Sequence, residues 1–511
     1  MRRKCLFFCG TLAYLLLSLS PSSVHCITIQ DYRVNSDTSV GIAQYYTDIA
    51  FDSLGNFVIV YSDRGFDHDF RKILFQRFDS QANRLGGPVL VSDTTIRYND
   101  NPAIAMHPSG SFVICWGSNT GGTDFNSDVW IQRFDPSGNS LGPRQQVDVD
   151  LPDTTGQVTV IDYTPAIAMD RQGNFIVIWA RQDSIGWNVY AQRFFASGAR
   201  IGNNFLVSDF PGSDYDYCEW EVYEPRLAFN PAGYFVICWY GCIHCPTRSP
   251  GVCAARIYNP NGEPVTKVIP LFNPCSSKWA FGSYPDVAGN PQNNFVVSSD
   301  VNTITWSYPH HAVMVQTFDT LGNPVDTGKI VNDVLDLGSI WFVSRVAVDD
   351  SDGYVVLWND ARYVNRNLWA QRFDSSGQSV GQNYRLNLSP GSLNSSDGES
   401  GNWNMYDLAI HQNTVGIAWV DFRNYSVYDA DVYAKLLDLD KIGFYLRGDV
   451  TLDGSIDIGD VIYLINYLFR NGWGIIPEWI GDASSDGNVD IGDVVFLINY
   501  LFKGGPPPEP T

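Results

Sequence analysis

Along the chain, short runs of alternating apolar and polar residues are broken by turns of glycine, aspartate and asparagine, and the breaks recur. One motif is an apolar run, a turn, and a second apolar run ending in an aromatic. It reads IAFDSLGNFVIVY at 49–61, IAMHPSGSFVICW at 104–116, IAMDRQGNFIVIW at 167–179 and LAFNPAGYFVICW at 227–239. A degenerate copy occupies 287–299, and two more occupy 346–358 and 408–419. A second motif follows each copy, as in ILFQRFDSQANRLG at 73–86 and VWIQRFDPSGNSLG at 129–142, with further copies at 189–202 and 368–381 and looser ones from Val252, Val313 and Val432. A third short run comes next, at 89–93, 205–209, 329–333 and 384–389. Period-2 alternation, β-branched and aromatic residues, and D-x-x-G or S-x-G turns predict four strands per unit joined by hairpins.

Seven such units, about sixty residues apart, predict a mainly β fold, a seven-bladed β-propeller over residues 27–440. The chain ends support ring closure over an open sandwich array. The seventh unit has no third run, whereas YRVNSD at 32–37 stands alone before the first unit and is expected to complete the last blade. Hairpin turns then fall on one face of the disc. The longer connections after each aromatic strand and into each next unit fall on the other, where binding or catalysis is expected.

Composition narrows the function. With 55 acids against 33 bases the net charge is −22, which disfavours nucleic acid and anionic membranes and suits cations, neutral glycans or basic partners. Residues 1–26 read in signal-peptide order: Arg2, Arg3 and Lys4, an apolar run through Leu17, then small and polar residues. Export with cleavage, and an extracellular or cell-surface location, is the expectation. An uncleaved anchor or lipidation at Cys26 are the alternatives, but the run is short and Val24-His25 is a poor lead-in to a lipidated cysteine. No later segment reaches the length of a membrane span.

The long-loop face is rich in acids and aromatics: Asp67, His68, Asp69, Asp183, Trp187, Asp214 to Asp216, Glu219 to Glu221, Tyr223, Glu224, Trp306, Trp403, Tyr425, Tyr428 and Asp429. Aromatic faces stack on sugars and paired carboxylates can hydrolyse a glycosidic bond, yet the same residues also describe solvated loops of an acidic protein. The recurring Tyr61-Ser62-Asp63-Arg64, Trp358-Asn359-Asp360-Ala361-Arg362 and Trp419-Val420-Asp421-Phe422-Arg423 read as ion pairs or strand-end locks, since catalysis does not need repetition. His107 and His411 hold the turn position occupied by Asp52, Asp170, Asn230 and Asp349 elsewhere. Six of the ten cysteines, Cys218, Cys238, Cys242, Cys245, Cys253 and Cys275, crowd one unit. Cys238-x3-Cys242-x2-Cys245 has zinc-ligand character, but an oxidising destination favours disulfides of unassigned pairing, with Cys115 and Cys238 as buried thiols.

The chain ends differently. GDVTLDGSIDIGD at 448–460 recurs as GDASSDGNVDIGD at 481–493. Twelve-residue loops with oxygen donors at alternate positions and glycine at the sixth hold calcium. The donors are Asp449, Thr451, Asp453, Ser455, Asp457 and Asp460, and in the copy Asp482, Ser484, Asp486, Asn488, Asp490 and Asp493, predicting two Ca2+ ions. Each loop precedes a helix with an apolar stripe, Val461, Leu464, Ile465, Leu468 and Phe469, then Val494, Leu497, Ile498, Leu501 and Phe502. A duplicated loop and helix with aspartate last and no preceding helix resembles a type I dockerin over 447–505, followed by a Pro-rich tail at 506–511. The resemblance implies calcium-dependent folding and docking onto a cohesin-type scaffold, as in assemblies that degrade plant polysaccharides. By position, it places Ile458, Gly459, Asn466 and Arg470, and Ile491, Gly492, Asn499 and Lys503, at the partner surface. The Ile-Gly pairs replace the hydroxyl residues common in clostridial members. Two classes remain for the propeller: a module that binds carbohydrate or protein ligands, or a glycoside hydrolase of polysaccharide catabolism.

Overall fold

The computed structural model describes residues 29–36, 43–64, 70–96, 98–119, 127–149, 161–183, 186–208, 223–242, 251–272, 279–303, 311–333, 343–360, 366–387, 393, 405–423, 430–470, 472, 474–475 and 477–509. The expected signal peptide lies outside them. Seven four-stranded antiparallel blades form a propeller. Their first strands, Ala43–Phe51, Tyr98–Met106, Ile161–Met169, Tyr223–Phe229, Trp279–Gly289, Ser344–Val348 and Tyr406–His411, touch in sequence around the axis, and the first also touches the last. One apolar cluster lies between each pair of neighbouring blades. The aromatics that end the second strands fill these clusters: Trp116, Trp179, Trp239, Trp358 and Trp419 are all at most 1% exposed.

Each hairpin has a local cause. Asp52 Oδ1 accepts the N–H groups of Leu54 and Asn56 at 2.8 and 2.9 Å, and Asn56 Nδ2 donates to Asp52 Oδ2 at 2.8 Å. Asp170 and Asn174, then Asp79 and Asn83, repeat this clamp. It fixes a turn whose last residue needs positive φ, supplied by Gly55 at 80° and, in blades 5 and 6, by Asn293 at 66° and Asp352 at 67°. The buried glutamines of the QRF motif seal the outer turns, with Gln76 Nε2 donating to the Arg77 and Gly86 carbonyls. The adjacent arginines cross to the next blade: Arg77 reaches Pro136 O at 3.0 Å and Arg133 reaches Ala196 O at 2.9 Å.

Closure occurs as the chain ends predict, with a shifted boundary. The strand Ile29–Arg33 pairs with Asp431–Asp438, placing Tyr32 opposite Ala434, and Val34 N donates to Val432 O at 2.7 Å. Asn35 Oδ1 accepts the Val432 N–H at 3.0 Å. Ser92, Ser208, Asn332 and Asn387 make the same bond within blades 1, 3, 5 and 6, so the N-terminal segment supplies to blade 7 the residue that those blades take from just beyond their own fourth strand. That fourth strand is shorter than predicted in blades 1 and 5, where it pairs over two residues, Val89–Leu90 and Lys329–Ile330, and it is equally short in blades 2 and 4, at Gln145–Gln146 and Ile269–Pro270. The strand-end lock is found in blade 7. Arg423 Nη2 bonds Asp421 Oδ2 at 2.6 Å and Asp31 Oδ2 at 2.9 Å, pinning the closing strand, while Trp419 Nε1 donates to Asp421. Trp358 Nε1 similarly donates to Asp360, and Arg362 lies outside the described residues.

His107 is a turn residue as expected, its ring nitrogens facing Ser109 Oγ and Arg171 O. His411 instead ends a strand before a tighter turn at Gln412 and stacks on Phe51. Cys115 and Cys238 are buried free thiols, as expected. Cys253 is a third and departs from the disulfide set: it is fully buried, with Sγ 3.1 Å from Ser299 Oγ. Cys238 lies in the same apolar cluster, where burial raises its thiol pKa. Cys218, Cys245, Cys275 and the Cys242 side chain lie outside the described residues.

Residues 439–509 fold onto blades 6 and 7. Tyr445 stacks on Tyr384 with ring centres 4.8 Å apart and donates to Asn383 O at 3.1 Å. The fully buried Lys435 of blade 7 donates to Leu386 O at 3.2 Å and to Leu452 O, inside the first acidic loop, at 2.9 Å. One apolar cluster therefore runs from Leu357 and Trp419 through Tyr445 and Leu452 to Leu464 and Leu497. In the tail, Pro508 is buried, and the space beside Gly448 ends on its ring.

Candidate functional sites

The two acidic loops share one frame. Asp449 accepts the N–H groups of Asp453 at 3.1 Å and Gly454 at 2.8 Å; Asp482 does the same for Asp486 at 3.0 Å and Gly487 at 3.1 Å. The last aspartate reaches back across each loop, Asp460 Oδ1 to Thr451 N at 3.0 Å and Asp493 Oδ1 to Ser484 N at 2.9 Å. Helices α1 (Ile458–Phe469) and α2 (Ile491–Lys503) start on reciprocal capping boxes, Asp457 with Asp460 and Asp490 with Asp493. Burial and the neighbouring Asp453 push the Asp449 carboxyl up to about 6, and burial raises Asp460 to about 7. Among the described residues no three acidic, His or Cys side chains converge as a metal cluster, because the loop carboxylates turn onto their own backbone. The donor set fits Ca2+ in kind: it is all oxygen, in the first loop Asp453 repels Asp449 and Asp449 repels Asp460, and in the second loop the buried Ser484 Oγ has no hydrogen-bond partner.

On α1, the sequence-derived positions Ile458, Gly459, Asn466 and Arg470 fall within about 120° of helical arc and remain accessible. Ile458 is 49% exposed and its counterpart Ile491 51%. Sequence reasoning missed two members of this face. Ile462 and Val495 are half exposed, and Phe469 and Phe502, expected in the core stripe, are 63% and 65% exposed. Val461, Leu464, Val494 and Leu497 alone make the buried stripe, with Ile465, Leu468, Ile498 and Leu501 flanking it. The signal was available: 458, 462 and 469 recur at 491, 495 and 502 with one helical phase. Gly492, Asn499 and Lys503 complete the second face.

On the propeller, most acids and aromatics expected on the long-loop face lie outside the described residues; Asp183 and Trp187 belong to strands that run further than expected. Glu224 is the exception. It sits at the start of blade 4's inner strand, 3% exposed, with Oε2 lacking a hydrogen-bond partner, and burial pushes its carboxyl up to about 7 against the opposing pull of Arg226 and Arg345. A β-bulge recurs there in blades 1 to 5, placing Tyr46, Asn101, Thr164, Glu224 and Tyr284 at φ between 46° and 52°. Below it, Asp48, Arg226, Asp286, Arg345 and Asp407 occupy one register around the axis. Asp48 Oδ2 and Asp286 Oδ2 each accept an N–H of the next blade, Ile104 and Val346, at 2.8 Å. Arg226 lies 3.8 Å from Asp286, and Arg345 4.0 Å from Asp407. These five side chains bind the ring together; blades 2 and 3 have Ala103 and Ala166 instead.

A cavity of about 290 Å3 is lined by Arg71, Tyr98, Asp100, Asn101, Tyr163 and Thr164 among others. A parallel bridge between Ser127 and Ile161 joins blades 2 and 3 at its edge. Arg71 and Asp100 form an ion pair, and the Arg71 guanidinium lies 6.0 Å from the Tyr98 ring centre. The fully buried Asn99 fixes the wall, donating to Arg71 O at 2.9 Å and accepting from Ser118 Oγ at 3.1 Å. Asp162 is held from behind by Trp179 Nε1 at 2.7 Å and Arg181 at 3.2 Å; burial and the adjacent Asp148 push its carboxyl up to about 9.

Comparison with solved structures finds similarities of low sequence identity. A Dyadobacter fermentans protein of unknown function is 8% identical, covering 80% of this chain and 98% of its own, with a TM-score of 0.44. The polysaccharide lyase Uly1 is 10% identical over 80% and 93%, TM-score 0.49, and an α-L-arabinanase from Penicillium chrysogenum is 12% identical over 69% and 99%, TM-score 0.43. No curated protein sequence matches the chain. No helix among the described residues is long and apolar enough to cross a membrane. The Dockerin type I domain family matches residues 447–502, the two loops and both helices. The chain thus carries a type I dockerin domain at the C-terminus of a seven-bladed β-propeller.

Proposed function

We propose that this is an exported protein whose dockerin binds two Ca2+ ions, through Asp449, Thr451, Asp453, Ser455, Asp457 and Asp460 and through Asp482, Ser484, Asp486, Asn488, Asp490 and Asp493. The dockerin docks onto a cohesin-type scaffold and so holds a carbohydrate-binding propeller in place. The observation that carries the docking is the pair of matching helical faces, each with two exposed aliphatic side chains and an exposed phenylalanine beside a polar rim. Full-length protein passed over immobilised type I cohesins is expected to be retained in calcium and released by EDTA; retention unchanged by EDTA would overturn the calcium-dependent docking.

A second reading, glycoside hydrolysis, draws on Glu224, a carboxyl at the start of blade 4's inner strand that burial raises to about 7. Reducing-end release from polysaccharide that is lost in Glu224→Gln would establish it. Glycan binding without release supports the binding module.

A further inference from the structure

The cavity between blades 2 and 3 is more than a gap between blades. Its volume of about 290 Å3 is at the small end of ligand sites, room for one sugar unit rather than a length of chain. Tyr163 is 46% exposed over it, offering a flat apolar face with Tyr98 nearby. Two of the lining residues each carry a polar atom that is buried without a hydrogen-bond partner, Thr164 Oγ1 and Arg71 Nε, and buried polar atoms are seldom left so unless something else satisfies them. Thr164 holds φ at 46°, a conformation that a β-branched residue rarely adopts, so the bulge presents it at a cost in backbone strain. The walls are set in advance, since Asn99 and Asp162 are both fully engaged behind them.

We propose that this cavity is a subsite for one neutral sugar unit, stacked on Tyr163 and hydrogen-bonded by the Arg71–Asp100 pair and Thr164. The charge of the pair cancels, and the protein as a whole carries −22, so a uronate would meet no net attraction. Aromatic stacking with a few polar groups of fixed direction is the chemistry of a pyranose or furanose ring with one apolar face. The assignment rests on the carbohydrate reading of the propeller and gives it a place.

The test is titration calorimetry of calcium-loaded full-length protein with cellohexaose, xylohexaose, mannohexaose, arabinohexaose and, as the acidic probe, hexagalacturonate. At least one neutral probe is expected to bind, about tenfold more weakly in Tyr163→Ala but within about threefold of wild type in Tyr163→Phe, which keeps the ring. Thr164→Ala weakens the same probe. If a neutral probe binds wild type and Tyr163→Ala equally, the subsite is wrong while the carbohydrate reading stands. Preference for hexagalacturonate overturns the neutral assignment, and no binding of any probe overturns both.

Discussion

Glu224 is the residue where burial and chemistry are most at odds. Its carboxyl is raised from 4.5 to about 7 chiefly by loss of solvent, and Arg226 and Arg345 offset this only in part. For an acid with a raised folded pKa, stability is full below the unfolded value and is lost as pH rises through the folded one. Between pH 4.5 and 7 the wild type is therefore expected to lose up to about 3 kcal/mol that Glu224→Gln retains. Melting temperatures of the two proteins across this range check it, and parallel curves would contradict it. Glu224 was visible in the sequence only as one acid among many. What distinguishes it, a buried place on a bulge that recurs from blade to blade, depends on five strands that meet across about 240 residues, from Tyr46 to Tyr284.

At the scale of elements, repeats made the blades legible and single-copy features did not stand out. The D-x-x-G-N turns and QRF strands could be read because each side chain bonds locally, to a backbone four to ten residues away. The closing strand was legible from its sequence, though its start lies three residues earlier than the motif. Asn35→Ala removes the bond to Val432 N, and a loss of about 1 kcal/mol with faster exchange of the Val432 amide is expected; unchanged protection there would mean that the strand is held by its backbone alone. The helices were misread at one point. Periodicity placed Phe469 in the core because an apolar residue at a helix end can face either way, and only the partner's position decides. Ile462→Asp together with Val495→Asp should leave helicity and melting temperature nearly unchanged, because both residues are half exposed, while abolishing cohesin capture.

At the scale of the whole molecule, a dockerin read from sequence as a separate tail turns out to share a core with blades 6 and 7. Lys435 spends its ammonium on carbonyls of both, and Tyr445 packs on Tyr384. Sequence could not show this: Tyr445 lies outside every repeat, beside Phe444. Calcium removal should therefore loosen more than residues 447–503. Hydrogen exchange in EDTA is expected to rise at Asn383 to Leu386 and at Lys435 as well, whereas a change confined to the loops and helices would contradict the shared core. Tyr445→Ala should cost about 3 kcal/mol or more.

The claim on which the functional account depends is that the duplicated helices dock a calcium-bound protein onto a scaffold. Titration calorimetry of a type I cohesin into full-length protein in calcium, in EDTA, and with the Ile462→Asp, Val495→Asp double variant in calcium tests it most directly. Saturable binding in the first condition only is the expected result. Equal binding in all three, or none to any of a panel of cohesins in calcium, would contradict it.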